Sequence, residues 1–143
     1  MMFKSLAVAA IFASLASPTL AREQAVIADA EGVVEFNLPS GNIACIFIPQ
    51  GGSSVYYPVD GGPELSCTRV EPVYVIVTLG PKGRAKAYEN PGERGCCSEA
   101  QVLQYGNSWS AGPFHCTSAK TGLTCTSGNG HGFSMSRARI TLK

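Results

Sequence analysis

The stretch "PFHCTSAKTGLTCTS" (113–127) contains two short runs of strand-forming residues joined by a small polar turn. If residues 119–122 form a four-residue loop, Gly122 takes the final position, where a positive φ is usual and glycine is tolerated best. Cys116 then lies directly opposite Cys125, with Cα atoms about 4.5 Å apart, within reach of a disulfide. The stretch therefore predicts an antiparallel hairpin closed by a Cys116–Cys125 bridge.

The rest of the chain has the same character. Short runs rich in Val, Ile, Tyr and Thr recur between clusters of Gly, Pro, Asn and Ser, and no segment shows a 3.6-residue apolar period with helix caps. Candidate strands lie at 33–38, 43–48, 55–59, 64–70, 73–79, 84–88, 102–106, 113–118, 123–127 and 138–142. The pattern predicts an all-β fold, a small antiparallel sandwich or barrel stapled by disulfides.

The N-terminus has the features of a secretory signal peptide. Lys4 precedes an apolar run over 6–15, and small residues follow up to position 21. The run is too short to cross a bilayer, which takes about 20 residues, so we expect no membrane anchor after cleavage. We assign 1–21 to the signal peptide, 22–32 to a loose N-terminal arm and 33–143 to a single β domain.

The net charge and the cysteine count indicate which compartment and which partners to expect. Cleavage would remove Lys4 and leave ten basic and ten acidic groups, a net charge of zero that gives no reason to expect nucleic acid as a partner. We expect a monomer that is periplasmic or secreted. The six cysteines all follow the signal peptide, and an even number in an exported chain indicates disulfides. No Cys-x2-Cys pair occurs and His115 and His131 are not in ligand spacing, so we predict neither a metal nor another cofactor.

Four motifs in fixed order resemble those of a family of small exported bacterial proteins of unknown function. They are "SGNIAC" (40–45), "YGNSWSAGPFHC" (105–116), "GLTC" (122–125) and "GHGFSMSR" (130–137). The resemblance covers most of the chain after the signal peptide. It implies a single exported, disulfide-bonded domain and no particular activity.

The resemblance also bears on the remaining cysteines. Cys45 and Cys67 match family positions and are the natural second pair, whereas two further family cysteines have no counterpart near Val73 and Glu89. The adjacent Cys96 and Cys97 are then left over. We predict a strained bond between these two, with an intermolecular bond or free thiols as the alternatives, since adjacent Cα atoms are closer together than disulfides prefer.

The segment 128–137, "GNGHGFSMSR", is a candidate recognition element. Its glycines permit close approach of a ligand, Asn129 and His131 offer polar contacts, and the Arg137 guanidinium suits a carboxylate or phosphate. The alternative is a tight turn whose large apolar side chains pack in the core while Arg137 pairs with a surface carboxylate.

Tyr105 and Trp109 form a second candidate. A single tryptophan among small polar residues in a predicted loop is suited to stacking on a sugar or a partner side chain. The alternative is that it fills one end of the core.

These features predict a disulfide-stabilised binding or structural module of the cell envelope, with a glycan or protein ligand, rather than an enzyme. The competing hypothesis is a redox or hydrolytic enzyme that uses Cys96 and Cys97 or His131. A nucleophile paired with a base and an orienting group would be needed, and no such set is evident from spacing.

Overall fold

The computed structural model describes residues 12–92 and 100–143, and within them every regular element is a β-strand. The strands are β1 Arg22–Glu23, β2 Val34–Asn37, β3 Ile43–Ile48, β4 Glu64–Arg69, β5 Val75–Leu79, β6 Lys86–Glu89, β7 Gln101–Val102, β8 Asn107–Ala111, β9 Phe114–Ala119, β10 Gly122–Thr126, β11 Gly132–Met135 and β12 Ile140–Leu142. The predicted all-β class is confirmed.

The strands form two six-stranded sheets. The first has the order β1-β8-β9-β10-β11-β12 and the second β6-β5-β4-β3-β2-β7. Both sheets are mixed, because β1 pairs with β8 and β7 with β2 in parallel while all other pairs are antiparallel. Alternate side chains of the two sheets share one hydrophobic core.

The hairpin of β9 and β10 has the predicted register. Cys116 lies opposite Cys125, their Cα atoms are 4.1 Å apart, and the two are bonded. Gly122 has a φ of +133°. The loop is shorter than predicted, because Ala119 already pairs with Gly122 and only two residues make the turn. The register is unchanged, since a two-residue turn and a four-residue loop leave the same residues opposed.

The second predicted bridge is confirmed as well. Cys45 on β3 and Cys67 on β4 are directly opposed and bonded, with both side chains buried. Each sheet therefore carries one cross-strand disulfide on its core face. Cys96 and Cys97 lie outside the described residues, and the predicted bond between them stays a prediction.

Residues 55–59 and 132–135 differ from the sequence-based expectation. Residues 55–59 form no strand, because Pro58 lacks the N–H that a ladder needs and the Ser53 N–H instead donates to the Tyr56 carbonyl, 2.8 Å away, in a local turn. Residues 132–135, expected as part of a glycine-rich turn, form β11 between β10 and β12. The first difference leaves a long loop between β3 and β4.

The arm 22–32 was expected to be loose, but hydrogen bonds tie it to both sheets. The Gln24 amide Nε2 donates to the Val102 carbonyl at 2.7 Å, while its Oε1 accepts from Asn107 Nδ2 at 2.9 Å. The Gln24 backbone N–H donates to the Ser108 carbonyl, extending the β1–β8 pairing. The Gln101 amide also exchanges two hydrogen bonds with the Ile27 backbone, so a short strand and two amide side chains hold the arm across the edges of the two sheets.

Candidate functional site

Two of the predicted binding residues lie at or in the core. Trp109 is only 3% exposed and packs against Phe36 and Phe47, with ring centroids 5.1 and 5.8 Å away. It belongs to β8 rather than to a loop, which is the core-filling alternative raised above. Tyr105 is half-buried and packs against the edge of the same core.

The other three predicted residues separate to the two ends of β11. Asn129 and His131 precede the strand, where Asn129 Oδ1 accepts a hydrogen bond from the Ser127 hydroxyl. Arg137 follows the strand, exposed, and lines a small cavity of about 210 Å³ together with Tyr105. The fold therefore brings Tyr105 and Arg137 together but leaves Asn129 and His131 at the opposite end of the strand. Ligand binding by this set stays a prediction.

A larger cavity, which we call the groove, lies on the outer face of the second sheet and has a volume of about 450 Å³. Its floor contains the half-buried Ile46 and Ile76, with the buried Ile48 and Val33 beside them, all on the face turned away from the core. Solvent-facing positions of a sheet are usually polar, so a branched apolar floor indicates a covered or ligand-binding face. Its volume is in the range of small-ligand sites.

Carboxylates surround this apolar floor. The residues of this rim are Asp29, Glu31, Glu35 and Glu64, and the lining contributed by the described part of the chain includes no Lys or Arg. The Asp29 carboxylate has a structural role, since its Oδ1 accepts hydrogen bonds from the backbone N–H groups of Glu31 and Val33 at 2.8 and 2.9 Å. Glu35 projects from β2 next to Ile46 of β3. The rim therefore gives the apolar floor a negative border.

The β3–β4 loop forms one wall of the groove. The Ser54 N–H and hydroxyl both donate to the Glu31 carboxylate at 2.9 Å, and the Tyr56 hydroxyl donates to Glu64 Oε1 at 2.9 Å. Partial burial, followed by the hydrogen bond and the negative charge of Glu64, raises the pKa of Tyr56 to about 12. Tyr56 therefore stays protonated and keeps donating at all physiological pH values.

The loop also presents apolar side chains to solvent. Val55 and Val59 are 90% and 96% exposed, and Tyr57 is exposed between them. Exposed apolar clusters of this kind beside a cavity are typical of interaction surfaces. Val55 also lines the groove, so part of this exposed apolar surface borders the cavity.

A serine and a histidine meet on the outer face of the first sheet. Ser110 Oγ and His115 Nδ1 are 2.7 Å apart, on opposed positions of β8 and β9, and both residues are exposed. Nucleophilic catalysis requires a third group that orients the imidazole, and the described contacts of His115 include only the serine. The pair fits a cross-strand surface contact.

Among known proteins, a family match was found for the C-terminal part of the chain only. Residues 79–143 match the family of unknown function DUF6636. The expected resemblance to a family without assigned activity is confirmed for this part, which contains the Cys116–Cys125 hairpin. No curated protein and no solved structure matches the chain.

The matched segment and the groove overlap little. Most of the groove lining lies between residues 29 and 78, before the match begins. Within residues 12–92 and 100–143, no group of three His, Cys, Asp or Glu side chains is placed to hold a metal ion. The same part of the chain contains no helix long and apolar enough to cross a membrane.

Sequence reasoning missed the groove. Its signal was present in "IACIFI" (43–48), where both faces of one strand are apolar. Cys45 and Phe47 face the core, so Ile46 and Ile48 have to face something else. A strand that is apolar on both faces predicts a covered outer face, but the sequence does not show which residues surround it.

Proposed function

We propose that this chain is an exported binding protein that holds an apolar, positively charged ligand in the groove. The observation that carries the proposal is the combination of a branched apolar floor with a rim of carboxylates. Apolar floor atoms favour burial of aliphatic groups, at about 25 cal/mol per Å², and the rim attracts cationic groups in the same ligand. The exposed valines and tyrosine of the β3–β4 loop extend the contact area.

Export rests on separate support. The signal-peptide pattern over 1–21 and two core disulfides both fit an oxidising compartment, periplasmic or extracellular. We expect the chain recovered from periplasm or medium to begin at Arg22, as read by N-terminal sequencing. Recovery of intact chain with reduced Cys45 and Cys67 from the cytoplasm would contradict export.

Binding is tested with two acetylated, amidated hexapeptides, KVKVKV and EVEVEV, titrated into the ¹⁵N-labelled chain. We expect KVKVKV to shift the amide resonances of strands β3 and β5 around Ile46 and Ile76, and EVEVEV to leave them in place. Attraction to the rim is electrostatic, so 0.5 M NaCl should weaken the KVKVKV complex. Shifts confined to the first sheet would contradict the proposal.

A floor variant shows whether the apolar contact matters. The double substitution Ile46→Thr and Ile76→Thr keeps β-branched side chains but removes apolar surface, and should weaken KVKVKV binding about tenfold. Val102→Thr makes the same kind of change at a half-exposed edge position outside the groove and should leave the affinity unchanged. Equal affinities of the floor variant and the unmodified chain would place binding elsewhere.

A further inference from the structure

The groove continues into a second cavity of about 530 Å³ at the β6 edge of the sheet. The two cavities share Tyr56, Glu64, Thr78 and Tyr88, so together they form one depression, which we call the trough. The trough crosses the strands of the second sheet from β2 to β6. It is therefore long enough for an extended ligand that lies across the strands.

The charge of the trough changes sign along its length. Among the described residues, the charged groups at its β2 end are all carboxylates, whereas its β6 end is lined by the exposed cations Lys82, Arg84 and Lys86. The β6 end also contains Asp60 and shares Glu64, whose Oε1 already accepts the Tyr56 hydrogen bond. Counted over the described residues, three cations against these two carboxylates make the β6 end net positive.

One row of directly opposed residues shows the polarity. It runs across five neighbouring strands through Glu35, Ile46, Ser66, Thr78 and Lys86. Four strand spacings of about 4.8 Å separate the two charged ends by about 19 Å, which an extended peptide of about six residues spans at 3.3 Å per residue. The row is acidic at one end, apolar and hydroxylic in the middle, and basic at the other.

We propose that the trough binds an extended peptide segment of an exported partner protein, and that this segment has opposite charges at its two ends. This inference rests on the proposed function. The basic end of the segment lies over Glu35, its aliphatic side chains lie on the isoleucine floor, and its carboxylate lies at Lys86. Neutral glycans lack both end charges, so the observations favour a peptide. Complementary charges at both ends set the direction in which the segment lies.

The test uses acetylated, amidated KVTVTE, compared with KVTVTK and EVTVTE, in the same NMR titration. We expect KVTVTE to bind about fivefold more tightly than either peptide with like-charged ends, and to lose this advantage in 0.5 M NaCl. A nitroxide attached to the lysine end of KVTVTE should broaden amide signals near Glu35 more than those near Lys86.

Charge reversal in the protein tests the polarity. Glu35→Lys replaces a carboxylate under the lysine end of KVTVTE, and Lys86→Glu leaves two cations against three carboxylates at the β6 end, so each should weaken KVTVTE binding about fivefold. Lys120→Glu, a matched change in an exposed turn of the first sheet, should have no effect. Unchanged affinity in either of the two trough variants would overturn the inference.

The two proposals fail in distinguishable ways. If KVTVTE binds and requires Ile46 and Ile76, yet Lys86→Glu changes nothing, the groove binds ligands but the trough has no polarity. If none of the peptides shifts the second sheet, the proposed function itself is wrong. If neutral chitohexaose shifts the same amides and displaces KVTVTE, the occupant is a glycan and the peptide proposal is overturned.

Discussion

Replacing Trp109 by alanine is expected to lower the free energy of unfolding by about 3–5 kcal/mol. The indole is 3% exposed and contacts Phe36 of β2 and Phe47 of β3, so it joins the first sheet to the second. Its removal leaves a cavity between the two sheets, and the lost contacts are not replaced. The loss is a large part of the 5–15 kcal/mol that stabilises typical domains.

Urea denaturation of the oxidised chain measures this effect. Trp109→Phe, which retains an aromatic ring in the same place, should lose less, and Tyr57→Ala, at an exposed aromatic, should change the midpoint little. An unchanged midpoint for Trp109→Ala would contradict the core position. Loss of ligand binding without loss of stability would instead favour the stacking role considered from the sequence.

Replacing Arg69 by methionine is the second large expected effect, a loss of about 3 kcal/mol. Arg69 ends β4 and is buried, and its guanidinium donates to backbone carbonyls rather than to a carboxylate. Nη2 lies 3.3 Å from the Val73 oxygen and Nη1 lies 3.1 Å from the Ser136 oxygen. The Ser136 carbonyl follows β11, so this one side chain links the second sheet to the first.

The size of the loss follows from the charge of the donor. Hydrogen bonds from a charged group contribute about 1.5–3 kcal/mol each, and the carbonyls of Val73, Ser136 and Arg137 would lose such a donor. Arg69→Lys should recover only part of the stability, since an ammonium cannot reproduce the planar fork. Arg139→Met, the same substitution at an exposed position, is the control and should leave the urea midpoint unchanged. Equal midpoints for Arg69→Met and this control would contradict the structural role.

Local pattern was enough for the hairpin and for its Cys116–Cys125 disulfide. Alternation along 113–127 and a glycine at position 122 set which side chains are opposed, and opposition set the Cys116–Cys125 bond. Cys45 and Cys67 followed from the matched motif positions. The same reasoning placed Trp109 in a loop, because small polar neighbours around one large ring resemble a loop until the packing of the other sheet is known.

What the sequence by itself determined is the set of properties that depend on near neighbours: an all-β chain and the register of the hairpin with its Cys116–Cys125 pair. Side chains along a strand point alternately to its two faces, so the pattern over a few positions shows which residues share a face. Only the tertiary structure decided the trough and the change of charge sign along it. Its lining comes from segments between residues 29 and 88, and no local pattern records that the β3–β4 loop folds back beside Ile46 or that five strands bring Glu35 and Lys86 into one row.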